Sequence, residues 1–301
     1  MTKPRNFQKF KYAIAATLAV AAGTATATEG GGSTYNPGVE NFLTGAAPPP
    51  GFYVLEYITH YRADRLNDNS GNSAVPGFSL RATAAATRLV WSTDTRIGSG
   101  NLTLHTILPL VSLKVAIPGL FSQSKSGLGD ITFGPGIAFH HSPQLHSVLA
   151  VDFVAPTGRY KATDPVNIGR NYWSVQPLYT MSYIDPTGFN GDFKATLNLN
   201  SKNSDTNYRS GDEFILDYSA GWGVGSGWTL GAGGYWYQQL SDDKANGAKV
   251  PGNKASGFAI GPSLKYDNGK GWFITAKLQK ETSARNRPEG TALWIKTSIP
   301  F

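Results

Sequence analysis

The sequence predicts an all-β protein, a transmembrane antiparallel up-and-down β-barrel of about 12 strands. Three observations predict it. The chain ends in an alternating segment, GTALWIKTSIPF, that stops on Phe301. Similar alternating segments recur along the whole of the chain from residue 51 onward. The connections between them alternate between long polar stretches and tight turns.

In the terminal segment, Thr291, Leu293, Ile295, Thr297, Ile299 and Phe301 share one face of an extended strand. Ala292, Trp294, Lys296, Ser298 and Pro300 share the other. A period of two is that of a strand with different surroundings on its two sides. A chain that stops this way resembles outer-membrane β-barrels, whose last strand is read by the barrel-assembly machinery. The resemblance implies that machinery as a partner, through the strand ending at Phe301.

Each earlier segment sorts its side chains the same way. Residues 52–61 put Tyr53, Leu55, Tyr57 and Tyr61 on the expected lipid face and Glu56 and His60 on the lumen face. Residues 82–91 put Leu89 and Trp91 out and Arg88 in, and 102–111 put Leu102, Leu104, Leu108 and Leu110 out. Residues 130–140 put Phe133 and Ile137 out; 145–154 put Leu149 and Phe153 out, with His146 and Asp152 in. Residues 172–183 put Val175 and Tyr179 out and Gln176 in; 192–200 put Phe193 and Leu197 out and Lys194 in. Residues 212–222 put Phe214 and Leu216 out and Glu213 and Asp217 in, and 228–238 put Leu230 and Trp236 out. Residues 258–266 put Ile260 and Leu264 out and Lys265 in; 272–280 put Ile274 and Leu278 out and Lys277 in. The last segment puts Lys296 in. Segments of roughly 9–12 residues suit a tilted strand crossing a bilayer. In lipid an open sheet leaves its edge groups unpaired, so the sheet must close.

Long connections are expected at 62–81, 116–129, 155–170, 201–211, 241–255 and 281–289, and short ones at 94–100, 141–144, 185–188, 223–227 and 267–270. Long loops on one side and tight turns on the other are usual for such barrels, the long ones being extracellular. Asp267-Asn268-Gly269 is a hairpin turn signal in its own right. A soluble sandwich would also alternate; the regular loop lengths and the aromatic strand ends favour the barrel.

The start of the chain carries an export signal. Lys3, Arg5, Lys9 and Lys11 precede a short Ala-rich apolar run, and Ala25-Thr26-Ala27 fits the A-x-A rule for cleavage after Ala27. The run is shorter than the ~20 apolar residues a membrane helix needs. The formal charge of +7 includes those four basic residues, so cleavage leaves +3. A mildly basic chain without a clustered basic face gives no case for nucleic-acid binding. There is no cysteine, which excludes disulfides, thiolate zinc sites and a thiol nucleophile. With 35 Gly, 15 Phe, 14 Tyr and 7 Trp in 301 residues, the mean hydropathy is only −0.25, as expected when the apolar face is spread over alternate residues.

The organisation is therefore a signal peptide at 1–27, a Gly/Pro-rich leader or plug at 28–50, and a barrel at 51–301. Gly30-Gly31-Gly32 is flexible, and Pro48-Pro49-Pro50 lacks amide hydrogens and stays extended. Two readings of 28–50 stand: a periplasmic leader that stiffens before the first strand, or a segment whose 35–43 stretch tucks into the barrel and narrows it. The pieces EGGGSTY, ENFLTGAAPPPGFY and ADRLNDNSGN within 29–72 resemble the start of a bacterial outer-membrane barrel family of transporters associated with the meta-pathway of phenol degradation. The resemblance implies a Gram-negative outer membrane and uptake of small hydrophobic or aromatic compounds. It implies no catalytic or binding set.

Candidate chemistry is sparse, and no cofactor or metal is expected. His140 and Ser142 are two apart but sit at a Pro-containing turn, a poor frame for a membrane-rim hydrolase. His140, His141 and His146 read as solvated turn residues, and Asp64, Asp68, Asn69 and Asn72 lack EF-hand spacing. The Gly-rich stretches at 127–130 and 221–225 lack a phosphate-loop ending. The expected pore-lining set is Glu56, His60, Arg88, Asp152, Lys194, Asp217, Lys265, Lys277 and Lys296. Such charges either select a solute or simply pair with one another across a closed lumen. The expected function is a channel for small solutes that works by passive passage; a structural or surface-binding barrel and a membrane-embedded hydrolase are the alternatives.

Overall fold

The computed structural model describes residues 28–299. The signal-peptide expectation and Phe301 lie outside the described residues.

Twelve antiparallel strands form one closed sheet in which each strand pairs with its neighbours in sequence. They are β1 (Gly51–Leu66), β2 (Ser79–Ile97), β3 (Gly100–Ile117), β4 in two runs (Phe121–Leu128 and Ile131–His140), β5 (Leu145–Ala155) and β6 (Ser174–Tyr183). Then follow β7 (Phe189–Asn200), β8 (Glu213–Gly225), β9 (Trp228–Gln239), β10 (Ser256–Asp267), β11 (Phe273–Arg285) and β12 (Pro288–Ile299). The sheet closes because β12 pairs with β1, from Val54 opposite Ile299 to Leu66 opposite Pro288. Closure leaves no edge strand.

The outer wall is apolar. Leu110, Leu149, Trp222, Leu230 and Ile260 are all exposed on it. Aromatic pairs gather at the short-turn end: Phe52 stacks on Trp91 with centroids 5.3 Å apart, and Trp228 packs on Tyr266 at 4.9 Å. Amphipathic rings at one level of the wall are what a membrane–water boundary selects. The inner wall is polar and buried; Asp217, Lys277 and Lys296 are each at most 3% exposed.

Two expectations are corrected, besides the 281–289 connection, which is only two residues long because β11 runs to Arg285 and β12 begins at Pro288. The 116–129 stretch is not a loop: β3 runs to Ile117 and pairs with Phe121–Leu128 around a three-residue turn. FSQSKSGL is polar on both faces because this hairpin rises above the apolar band, where backbone pairing needs no apolar side. The alternation then slips at Gly129-Asp130. There the 156–173 loop supplies the missing bonds: Thr157 Oγ1 accepts Ile131 N at 3.0 Å and donates to Gly129 O at 3.2 Å, while the Asp130 carboxylate in turn accepts Gly158 N at 2.9 Å and Arg170 N at 2.8 Å.

The second correction concerns β1. Tyr57 lies opposite the inward-facing Lys296, so Tyr57, Thr59 and Tyr61 point in, while Glu56 and His60 point out. Glu56 accepts the Thr87 hydroxyl at 2.8 Å on the outer face, and His60 Nδ1 lies 2.9 Å from the Thr83 hydroxyl. Both residues therefore leave the pore-lining set. The physical reason is that tyrosine suits either face. Its hydroxyl is needed inside here, where Tyr61 donates to Glu281 at 2.6 Å and Tyr57 to Glu40 at 3.4 Å.

Candidate functional site

The interior is occupied by the chain's own residues 28–50. At the long-loop end, Glu29 N donates to Ser210 Oγ at 3.1 Å, and Tyr160 donates its hydroxyl to the Glu29 carboxylate at 3.2 Å. At the short-turn end, Gly45 N donates to Ser182 Oγ at 2.7 Å and Ser92 Oγ donates to Pro48 O at 2.9 Å. The segment thus threads the barrel lengthwise and turns into β1 at Gly51. An irregular strand can lie at that depth only if its backbone groups find partners, and the inner wall supplies them.

Asp217 on β8 is the first anchor. It accepts the Tyr35 hydroxyl at 2.6 Å, Gly38 N at 2.7 Å and Glu40 N at 3.1 Å. The turn at Gly38 has φ of +84°, a conformation that suits glycine. Glu40 is the second anchor. Its carboxylate lies 3.2 Å from Lys296 Nζ on β12 and 3.6 Å from Arg88 Nη1 on β2. Lys277 on β11 donates to Glu40 O at 2.6 Å, and Lys296 also donates to Phe42 O at 2.8 Å. Ser33 donates to Glu213 at 2.7 Å, and Thr44 N donates to Asp192 at 3.1 Å.

The wall is shaped to receive the segment. Phe42 is fully buried against the inward-facing Gly221, where an added Cβ would come 3.0 Å from its ring. Gly233 likewise leaves 3.2 Å between such a Cβ and the Lys277 stem. The weak alternation of 221–234 follows from this, since glycine in a strand marks a close approach.

Seven of the nine expected residues lie on the inner wall. Arg88, Asp217, Lys277 and Lys296 meet at the segment as described. Lys194 sits over the Tyr35 ring, 4.9 Å from its centroid. Asp152 bonds His105 Nε2 at 2.7 Å, and Arg88 Nε donates to His105 Nδ1 at 3.1 Å, so these three join one network. Lys265 is buried on β10 near the short-turn end. Glu56 and His60 are outside. Sequence reasoning missed Glu40, Tyr57, His105 and Glu281. Glu40 had a legible signal: it is the sole acid in the stretch 30–55.

Toward the mouth, Arg287 lies over the Tyr237 ring at 4.5 Å and the Tyr235 ring at 5.6 Å, and pairs with Glu281 at 3.6 Å. Above it, a four-stranded sheet made from two long connections (Lys202–Asn203, Tyr208–Arg209, Asp243–Ala245, Ala248–Val250) covers part of the opening. The 156–173 loop is tied to β4 by Lys125 Nζ, 2.7 Å from Asp164. The hydrogen bond from Lys125 holds the Asp164 carboxyl below its ordinary range.

The fold is similar to that of an outer-membrane channel from Pseudomonas putida F1, with a TM-score of 0.77 at 17% identity over 87% of this chain and 100% of that one. The β domain of the Bordetella autotransporter BrkA is more distant, with a TM-score of 0.49 at 11% identity over 84% of this chain and 100% of that one. A monoaromatic hydrocarbon channel, CymD, scores 0.42 at 9% identity over 84% of this chain and 89% of that one. Among curated proteins, none matches the chain by sequence. Residues 63–297 match the family described as "Putative MetA-pathway of phenol degradation", and the chain belongs to that family.

Proposed function

We propose that the protein is an outer-membrane channel for small hydrophobic or aromatic solutes, closed at rest by its own residues 28–50. The observation that carries the reading is the closed sheet with an apolar outer wall and a charged inner wall, a distribution that suits lipid outside and a polar path inside. The family description, phenol degradation, supplies the solute class. Passage is passive: solute moves along the inner wall when the segment withdraws. The inward charges of Arg88, Lys277 and Lys296 then lose Glu40 as partner and face the path. Asp152 and Asp217 stay on the wall beside them, but with Lys194 the four cations outnumber these two acids, which favours phenolate or aromatic carboxylate over neutral hydrocarbon.

The test is deletion of 30–47, followed by single-channel currents in planar bilayers and uptake of a panel of phenols and aromatic acids by cells. The deletion is expected to raise conductance and speed uptake of the anionic members. Unchanged conductance would refute closure by the segment, whereas no current and no uptake in either form would refute the channel and leave a structural or surface-binding barrel.

A further inference from the structure

Asp243, in the small sheet at the barrel mouth, has no exposed surface. Its carboxylate is ringed by donors. Oδ1 accepts Gly211 N and Gln239 Nε2, both at 2.7 Å. Oδ2 accepts Thr28 N at 3.0 Å, Asn253 Nδ2 at 2.8 Å, and the Tyr208 hydroxyl. In the uncut chain every one of these donors is neutral. Among the described residues, no Lys, Arg or His side chain forms an ion pair with Asp243. A buried charge normally has an opposite charge beside it.

Thr28 supplies an independent observation. It is 2% exposed and held in place on both sides: its hydroxyl donates to Gly32 O at 3.0 Å, and its carbonyl accepts Gly31 N at 3.0 Å. Yet its φ is 60° with ψ at 151°. For a β-branched residue that is a strained conformation, because Cβ crowds the preceding carbonyl oxygen. A chain that begins at Thr28 has no preceding carbonyl, and the strain disappears.

We propose that Asp243 is the receptor for the α-ammonium of Thr28, created when a signal peptidase cuts after Ala27. In that hydrolysis water is consumed, Ala27 leaves as a carboxylate, and the Thr28 nitrogen becomes an amine that is protonated at neutral pH, its ordinary pKa being about 7.7–8.0. Processing thereby makes the one cation that the carboxylate lacks, at the atom already 3.0 Å from it. A single amide donor becomes an ammonium with three. The pair latches the top of the 28–50 segment to the extracellular sheet, while Glu40 and Asp217 hold its middle. Only the consequence of the latch, a firmer closure, rests on the channel reading; the latch itself does not.

The test reads the amine, not the current. The protein is isolated from outer membranes, and mass spectrometry of its first peptide is expected to begin at Thr28. The folded protein is then treated with N-hydroxysuccinimidyl acetate at neutral pH, and acetylation of the α-amine is compared with that of the urea-unfolded chain. The wild-type amine is expected to react at least about tenfold more slowly than the unfolded one. Asp243→Asn, and a refolded chain with one Ala added before Thr28, are expected to react within about twofold of it. The extended chain keeps Asp243 and decides the matter if Asp243→Asn does not fold. A different first residue, or equal protection in wild type and extended chain, would overturn the latch. Protection in a barrel that nevertheless conducts freely would uphold the latch and overturn the resting closure instead.

Discussion

Replacing Glu40 by Gln tests how strongly the segment is held. The side chain keeps its shape and loses its charge. In the native arrangement the carboxylate and its partner Lys296 are 6% and 4% exposed and 3.2 Å apart, and Arg88, 26% exposed, is 3.6 Å away. Removing one member of a buried pair costs about 3–5 kcal/mol, because the other charge is stranded. Here neither cation is fully stranded. Lys296 keeps Phe42 O at 2.8 Å, and Arg88 keeps His105 at 3.1 Å and is partly solvated. That lowers the expected loss to about 2–4 kcal/mol. At one decade per 1.36 kcal/mol, the ratio of docked to undocked segment falls by roughly 30- to 900-fold. Single-channel recording of the purified protein reads this as a rise in open fraction. Arg65→Ala is the control: its pair with Glu289, 3.2 Å long, has an Arg65 side chain that is 44% exposed, and such pairs contribute at most about 1 kcal/mol. If folded Glu40→Gln opens no more often than Arg65→Ala, the ion pair does not hold the segment, and the argument from burial fails.

Tyr35→Phe removes one of the donors to Asp217 and leaves the backbone donors Gly38 N and Glu40 N in place. A hydrogen bond to a charged group contributes about 1.5–3 kcal/mol, so the open fraction should rise by roughly one to two decades; no rise would count against Asp217 as an anchor. Glu56→Val replaces an acid on the outer wall, where a charge at mid-depth is unfavourable by up to about 2 kcal/mol for a carboxylate. Urea unfolding in vesicles should show equal or greater stability with single-channel conductance unchanged, whereas altered ion selectivity would return Glu56 to the lumen. Lys125 lowers the Asp164 carboxyl, so the tie between the 156–173 loop and β4 contributes stability above the ordinary carboxylate value. It is lost as pH falls through the lowered one. Protection of the 160–168 amides, measured against the unfolded chain at the same pH, should therefore stay constant from pH 8 to pH 5 and fall only below about pH 4; a fall near pH 6 would contradict it.

Most of the wall was legible because a two-residue period acts on a strand's faces directly. In β7 and β8, Leu197 and Phe214 are strongly apolar and Lys194 and Asp217 strongly polar, so the faces sort themselves with no knowledge of neighbours. β1 was not legible in this way. Tyr57 and Tyr61 carry both a ring and a hydroxyl, and Glu56 and His60 gain hydroxyl partners on the outer face. Its phase was fixed by register against Lys296, a partner 239 positions away. Likewise, 121–128 looks like a loop by polarity, since only its pairing with β3 makes it a strand.

By itself, then, the sequence determined the barrel, the approximate strand number and the inward set of Arg88, Asp152, Lys194, Asp217, Lys265, Lys277 and Lys296. Those follow from local periodicity, which each strand carries within its own residues. Only the tertiary structure decided what those charges do. Glu40, Asp217 and the Lys277–Lys296 hairpin come from three distant stretches, and they meet because the barrel closes around residues 28–50. Between a trailing leader and a threaded segment, composition is neutral. The choice depends on whether the inner wall offers each backbone and carboxylate group a partner at bonding distance, and that is a property of the closed sheet rather than of any one strand.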